Sequence, residues 1–272
     1  MANSKKEEVS ALLKKLDAGV QSLQTTEGWV QWLKFQSSFY SYSWNNVLLI
    51  VSQCPNASYV MGYKKWQQLG RQVSKGEKSL RILAPSFKKD KETGESVLAY
   101  FRSVPVFDIS QTEGAEIPSL CQKLEGDSSQ LFNALRAFSE SRSVDVELEE
   151  MNDVEGYFDS VGKHIRIRAS NSSAQQTKTL AHEIARSILH SSESRFEQSR
   201  ADRELEAESV AYIVCQHFGL DSSDYSFGYV ATWKKEQAQK ALKKSAGRIA
   251  SAAKKIIEGI ESQSEEEIAD AA

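Results

Sequence analysis

Two segments constrain the fold more than any others: TLAHEIARSILH, residues 179–190, and ELEAESVAYIVCQHFG, residues 204–219. Each carries apolar residues at helical spacing, so two long helices are predicted, with Gly219 placed to end the second. The first opens with His182 and Glu183. In an HExxH helix, two histidines four apart share one face and reach one zinc ion, while the glutamate works on the metal-bound water. Zinc lowers that water's pKa to about 7. This chain has Arg186 where the second histidine belongs. A guanidinium stays protonated and has no lone pair for a metal.

The remaining ligand candidates are few. Glu204, Glu206 and Glu208 stand on the second helix, a reasonable source of a carboxylate ligand. His190 lies eight residues beyond His182, about 12 Å along a helix, too far to share its ion. His164 and His217 depend on tertiary folding. His182 with a single glutamate would bind zinc weakly. The bland alternative is that Arg186 pairs with Glu206 or Glu208 and ties together the helices that a metal would otherwise join.

The 272 residues, 40% hydrophobic and 26% charged, suit two modest domains. Net charge is -3 overall but unevenly spread: +4 over residues 1–118, -8 over 119–232 and +1 over 233–272. Different partners are expected for the basic front and the acidic middle. The three cysteines, Cys54, Cys121 and Cys215, form no CxxC pair, which fits a reducing compartment. With no signal-peptide pattern and no bilayer-length apolar run, a soluble cytoplasmic protein is expected.

Along the chain, helices are expected over residues 5–24, 27–39 and from Trp44 to about Pro55, with a short one in GYKKWQQLG. KSLRILAPSFKK and SVLAYFRSVPVFDIS read as a hairpin turning at DKETGE. A boundary is expected in the Gly-, Pro- and Ser-bearing TEGAEIPSLCQKLEGDSS. Beyond it, LFNALRAFSES reads as a helix, VDVELEE as a strand, and GYFDS with HIRIRA as a second hairpin. Polar SSESRFEQSRADR separates the two long helices. A Lys- and Ala-rich helix runs over 234–260, and SQSEEEIADAA is expected to fray.

Residues 60–90 hold eight basic and two acidic side chains, with Tyr63, Trp66 and Phe87 among them and Tyr42 and Trp44 just before. Cations along a groove neutralise phosphates, and aromatic rings stack on bases of any sequence. Lys64, Lys65, Trp66, Arg71, Lys75, Lys78 and Arg81 form the candidate nucleic-acid set, with Gly76 letting the backbone approach closely. Individually, a tryptophan at a helical position is more often core, and a lysine more often solvated. The C-terminal basic helix reads first as a packing helix.

The segments YSYSWNNVLLI, GYKKWQQLGRQVSKGEKSLRILAP, VPVFDISQT, TLAHEIARSILH and ELEAESVAYIVCQHFGLDSSDYSFGYVATW resemble the ArdC-type antirestriction proteins of conjugative plasmids and mobile elements, including LtrC-like relatives. The resemblance implies an α+β, two-domain architecture: a single-stranded-DNA (ssDNA)-binding domain over 1–118, a linker over 119–128, a zincin-like metallopeptidase domain over 129–232, and an amphipathic helix with an acidic tail over 233–272. It implies protection of incoming DNA from restriction, with ssDNA and a protein substrate or partner, and no membrane. It also implies a Zn2+ site in which His182 is the first ligand and Glu183 the general base. Glu206 is the third ligand in that site, with Glu208 in reserve. Arg186 departs from that pattern. Three functions therefore compete: an ssDNA-binding antirestriction protein with an altered HExxR motif, an active zinc peptidase cleaving a regulatory protein, and an inactive interaction module whose acidic middle docks a basic partner.

Overall fold

The computed structural model describes residues 2–90, 93–116, 128–190, 198–220, 227 and 236–270. In chain order the elements are α1 (Ala2–Ser22), α2 (Thr26–Ser38), α3 (Trp44–Gln53), β1 (Val60–Met61), α4 (Tyr63–Gln68), β2 (Arg71–Val73), β3 (Leu80–Lys89), β4 (Ser96–Asp108) and β5 (Thr112–Gly114). They continue with α5 (Ser128–Ser141), β6 (Asp145–Glu149), β7 (Gly156–Asp159), β8 (His164–Arg168), α6 (Ser173–Leu189), α7 (Arg200–His217) and α8 (Glu236–Asp270). The expected hairpins and long helices are present. Residues 117–127 of the expected boundary segment, Cys121 among them, lie outside the described residues, as does most of the polar stretch after His190.

The chain forms two compact units. The first comprises residues 1–23 and 44–118, the second 24–43 and 119–272. Residues 24–43 group with the second unit because α2 packs on α7. Trp29, fully buried, donates its indole N–H to Ser209 Oγ at 3.0 Å. Its amphipathic sequence called for a partner without saying which one.

In the first unit, an antiparallel sheet of order β1-β4-β3 packs on α1 and α3. Leu12, Leu16 and Val20 of α1, Val47, Leu49 and Ile50 of α3, and Leu80, Ile82 and Leu83 of β3 form the core. β3 is an edge strand, and a bare edge invites pairing with other chains. Here α3 covers it. Asn46 bonds both the N–H and the C=O of Leu83, at 3.0 and 2.9 Å. Gln53, two helical turns on, does the same at Arg81, at 3.0 and 2.9 Å. β2 and β5 make a separate two-stranded ribbon.

In the second unit, a sheet of order β6-β8-β7 pairs β6 parallel and β7 antiparallel to β8, and α6 packs against β7 and β8. α5, α7 and α8 complete the helical layer. α6 starts at Ser172, whose hydroxyl accepts from the Gln175 N–H. α7 starts at Ser199, which accepts from the Asp202 N–H. Gly219, at φ +79°, ends α7, and the Leu220 N–H reaches back to the Cys215 carbonyl. α8 runs through to Asp270, past the point where the sequence was expected to fray.

Candidate functional site

α6 and α7 place the singled-out residues in and around one cleft of about 450 Å³. Its walls include His182, Glu183 and Arg186 from α6, Arg200, Glu204 and Glu208 from α7, and Val154, Glu155 and Gly156 leading into β7. Gly156 matters for closure of that wall. A Cβ there would sit 2.7 Å from Thr179 Cγ2 and 2.9 Å from the Arg166 carbonyl oxygen, so only glycine lets β7 lie this close to α6.

Both ring nitrogens of His182 face carboxylates, Nδ1 at 2.9 Å from Glu208 and Nε2 at 3.3 Å from Glu204. Burial alone would lower the His182 pKa. The hydrogen bonds to Glu204 and Glu208, together with the Glu183 charge, outweigh burial and carry it up to about 9. His182 is therefore an imidazolium at neutral pH, with both nitrogens protonated. The hydrogen bond from His182 holds the Glu204 carboxyl below its usual range, against the opposing effect of burial. Arg186 lies 3.7 Å from Glu204 Oε1 and 3.7 Å from Glu183 Oε1. It ties to Glu204 and Glu183 rather than to the expected Glu206 or Glu208.

Glu183 is 3% exposed, and its Oε2 has no hydrogen-bond partner among the described residues. Burial raises its pKa, with His182 and Arg186 pulling the other way. Its carboxyl thus lines the cleft in a desolvated setting.

Glu206 is not in the cleft. Two residues along a helix turn the side chain by about 200°, so Glu204 and Glu208 share one face of α7 and Glu206 points the other way. It is fully buried against α8, where it accepts from Arg248 and Ser245, and from Gln198 at 3.0 Å. His190 Nε2 lies 3.8 Å from it. His217 contacts the Ser37 carbonyl and Glu261, and His164 lies by Asp159. None of these histidines reaches His182.

As arranged, these groups do not fit a metal ion. Both His182 nitrogens face carboxylates, Arg186 brings a cation to the place of a ligand, and no group of three or more His, Cys, Asp or Glu among the described residues is disposed to hold one. What stands in the cleft is an ion-pair network.

In the first unit, Lys64, Lys65, Lys75 and Lys78 are exposed. Three of the expected nucleic-acid residues are otherwise engaged. Trp66 is fully buried and donates to the Phe107 carbonyl at 3.0 Å, so it cannot stack on a base. The Arg71 guanidinium is spent on Thr112, Gly114 and Ala115, joining β2 to β5. Arg81 pairs with Glu8 at 3.1 Å. Of the cysteines, Cys54 and Cys215 are reduced thiols. No helix among the described residues is long and apolar enough to cross a membrane.

An α/β unit joined to a zincin-like unit is the class that this architecture defines. Residues 3–116 match the family model for the N-terminal domain of anti-restriction factor ArdC, and residues 140–218 match the IrrE N-terminal-like domain of the M78 peptidases. The metal-free crystal structure of antirestriction ArdC from plasmid R388 is similar, with TM-score 0.54, 25% identity, and coverage of 81% of this chain and 86% of that one. Its Mn(II)-bound form gives TM-score 0.58 and 22% identity over 92% and 97%. The chain thus carries an ArdC N-terminal domain followed by an IrrE-like M78 domain, and resembles antirestriction ArdC across both units. A further relative is the uncharacterized protein pXO2-81 of Bacillus anthracis, 25% identical over 85% of this chain, which spans only 47% of that relative's length.

Proposed function

We propose that this chain is an ssDNA-binding antirestriction protein of a mobile element. It acts through its first unit, and the altered zincin-like unit serves as a scaffold held by ion pairs in place of zinc. The observation that carries the reading is the set of exposed lysines, Lys64, Lys65, Lys75 and Lys78, on a unit whose sequence matches the N-terminal domain of ArdC. Such cations neutralise phosphates and release counterions, so affinity falls steeply with salt. Lys75 and Lys78 flank Gly76, whose φ of +96° forms the tight loop before β3.

The test is a titration of labelled single-stranded oligothymidylate at several salt concentrations. The expected result is binding with a steep log–log salt slope. Lys75→Ala then reduces that slope by about 0.7 for each phosphate no longer neutralised. Glu183→Gln leaves it unchanged. No binding, or binding indifferent to salt, contradicts the proposal.

The peptidase reading is favoured by one observation, the desolvated Glu183 facing the cleft. It requires a metal that displaces the His182 pairing. Proteolysis abolished by Glu183→Gln is the result that would support it.

A further inference from the structure

The β3–β4 hairpin reaches well past the core that anchors it. Its inner part is built in, with Ile82 and Leu83 buried and the β3 edge covered by Asn46 and Gln53. From Ala84↔Arg102 outward the ladder continues for six more residue pairs. None of the residues in those pairs is buried. The outer part is therefore a paired finger interrupted by one bulge, yet Phe87 is 61% exposed and Tyr100 63%, and Leu98 and Phe101 are also exposed. Contiguous large apolar side chains in water mark a surface meant for a partner.

The chemistry of the finger selects among partners. Lys88, Lys89 and Arg102 lie among the rings, and neither outer strand segment carries a carboxylate before the turn. A register shift between Ser86 and Phe87 leaves Ala99 as the extra residue of β4. Phe87 with Leu98 and Pro85 with Phe101 are cross-strand pairs on one face. Ser86 with Tyr100 and Ala84 with Arg102 are pairs on the other. Both faces thus present a ring, with cations along the same strands. A duplex keeps its base faces stacked inside and offers these rings nothing. A lipid surface is disfavoured by Asp90 and Glu95 at the turn, which would meet anionic headgroups first.

We infer that the outer β3–β4 hairpin is the base-stacking element of the single-strand site, with Phe87, Tyr100 and Phe101 as platforms and Lys88, Lys89 and Arg102 holding phosphates. This rests on the ssDNA reading above. The full-length chain is titrated with the same labelled oligothymidylate. Phe87→Ala, Tyr100→Ala and Phe101→Ala are each expected to weaken binding about five- to hundredfold, with the salt slope unchanged. Tyr100→Phe keeps the ring and binds like the unmodified protein.

Photocrosslinking of the unmodified protein to a bromodeoxyuridine-substituted single strand is expected to map to residues 85–102, a readout independent of how any variant folds. If the unmodified protein fails to bind the oligonucleotide, the ssDNA reading falls and this inference falls with it. If it binds but the three alanine variants bind equally, or the crosslinks map elsewhere, the hairpin assignment alone is overturned. Loss of binding to phosphatidylserine vesicles in these variants, with ssDNA affinity intact, overturns it in favour of a membrane.

Discussion

Arg248→Ala tests whether Glu206 is a structural group rather than a metal ligand. Glu206 is 0% exposed and lies against Arg248, which contacts it through both Nε and Nη2. Removing one member of a buried pair leaves the other charged and desolvated, at a cost of about 3–5 kcal/mol. Two features place this case at the lower end. The Arg248 side chain is 28% exposed, so part of its charge is already solvated in the folded state. Ser245 and Gln198 also still donate to the carboxylate. The expected loss is therefore about 3 kcal/mol, which lowers Tm by roughly 6–12 °C for a unit of this size. Replacing both partners with apolar residues of similar volume, Glu206→Leu with Arg248→Met, recovers most of that loss. The assay is urea and thermal unfolding of the full chain, with and without added Zn2+. A loss below about 1 kcal/mol, against the 3–5 expected for a buried pair, or a Zn2+-dependent recovery in the single variant, would refute the reasoning.

Gly156→Ala forces a Cβ against the Arg166 carbonyl and Thr179, and should destabilise the second unit by about 1–3 kcal/mol in the same unfolding assay. Asn46→Leu leaves the Leu83 N–H and C=O without their side-chain partner and should cost about 2 kcal/mol, with Leu83 losing amide-exchange protection. Burial tends to raise the Glu261 pKa, but the hydrogen bonds from His217 and Tyr40 outweigh it and hold the carboxyl below its usual value. Because the folded pKa is depressed, this contribution is present above the ordinary glutamate value of about 4.3 and is lost as pH falls through the folded value. Glu261→Gln should therefore flatten the acid limb of the stability–pH curve below about pH 4.3 and leave that limb's dependence above it unchanged.

The two long helices and both hairpins were legible because their apolar periodicities are strong, and the HExxR departure was legible directly. The choice of glutamate was also within reach. Glu204 and Glu208 are four apart and share the face that meets His182, whereas Glu206 faces α8. Ranking Glu206 first by analogy overrode that spacing. Trp66 shows the opposite lesson, since its helical position already favoured the core, where it is found. Two features had no sequence signal. An amphipathic α2 does not say that its partner is α7, more than 160 residues later. SVLAYF reads simply as a strand of a hairpin, and only the three-dimensional ladder shows that its side chains are left unburied. For that reason the sequence does not single out Tyr100, Phe101 and Arg102, the residues inferred above to meet the strand.

The central claim is that ion pairs hold the cleft in place of a metal. Its most direct test is metal content per chain, by elemental mass spectrometry on protein purified without a metal-affinity tag, for the unmodified chain and for Arg186→His. The account predicts a negligible metal content in the unmodified chain and a clear gain in Arg186→His, where a second imidazole joins His182 beside Glu204 and Glu208. Near-stoichiometric metal in the unmodified protein would contradict it and put peptidase chemistry first.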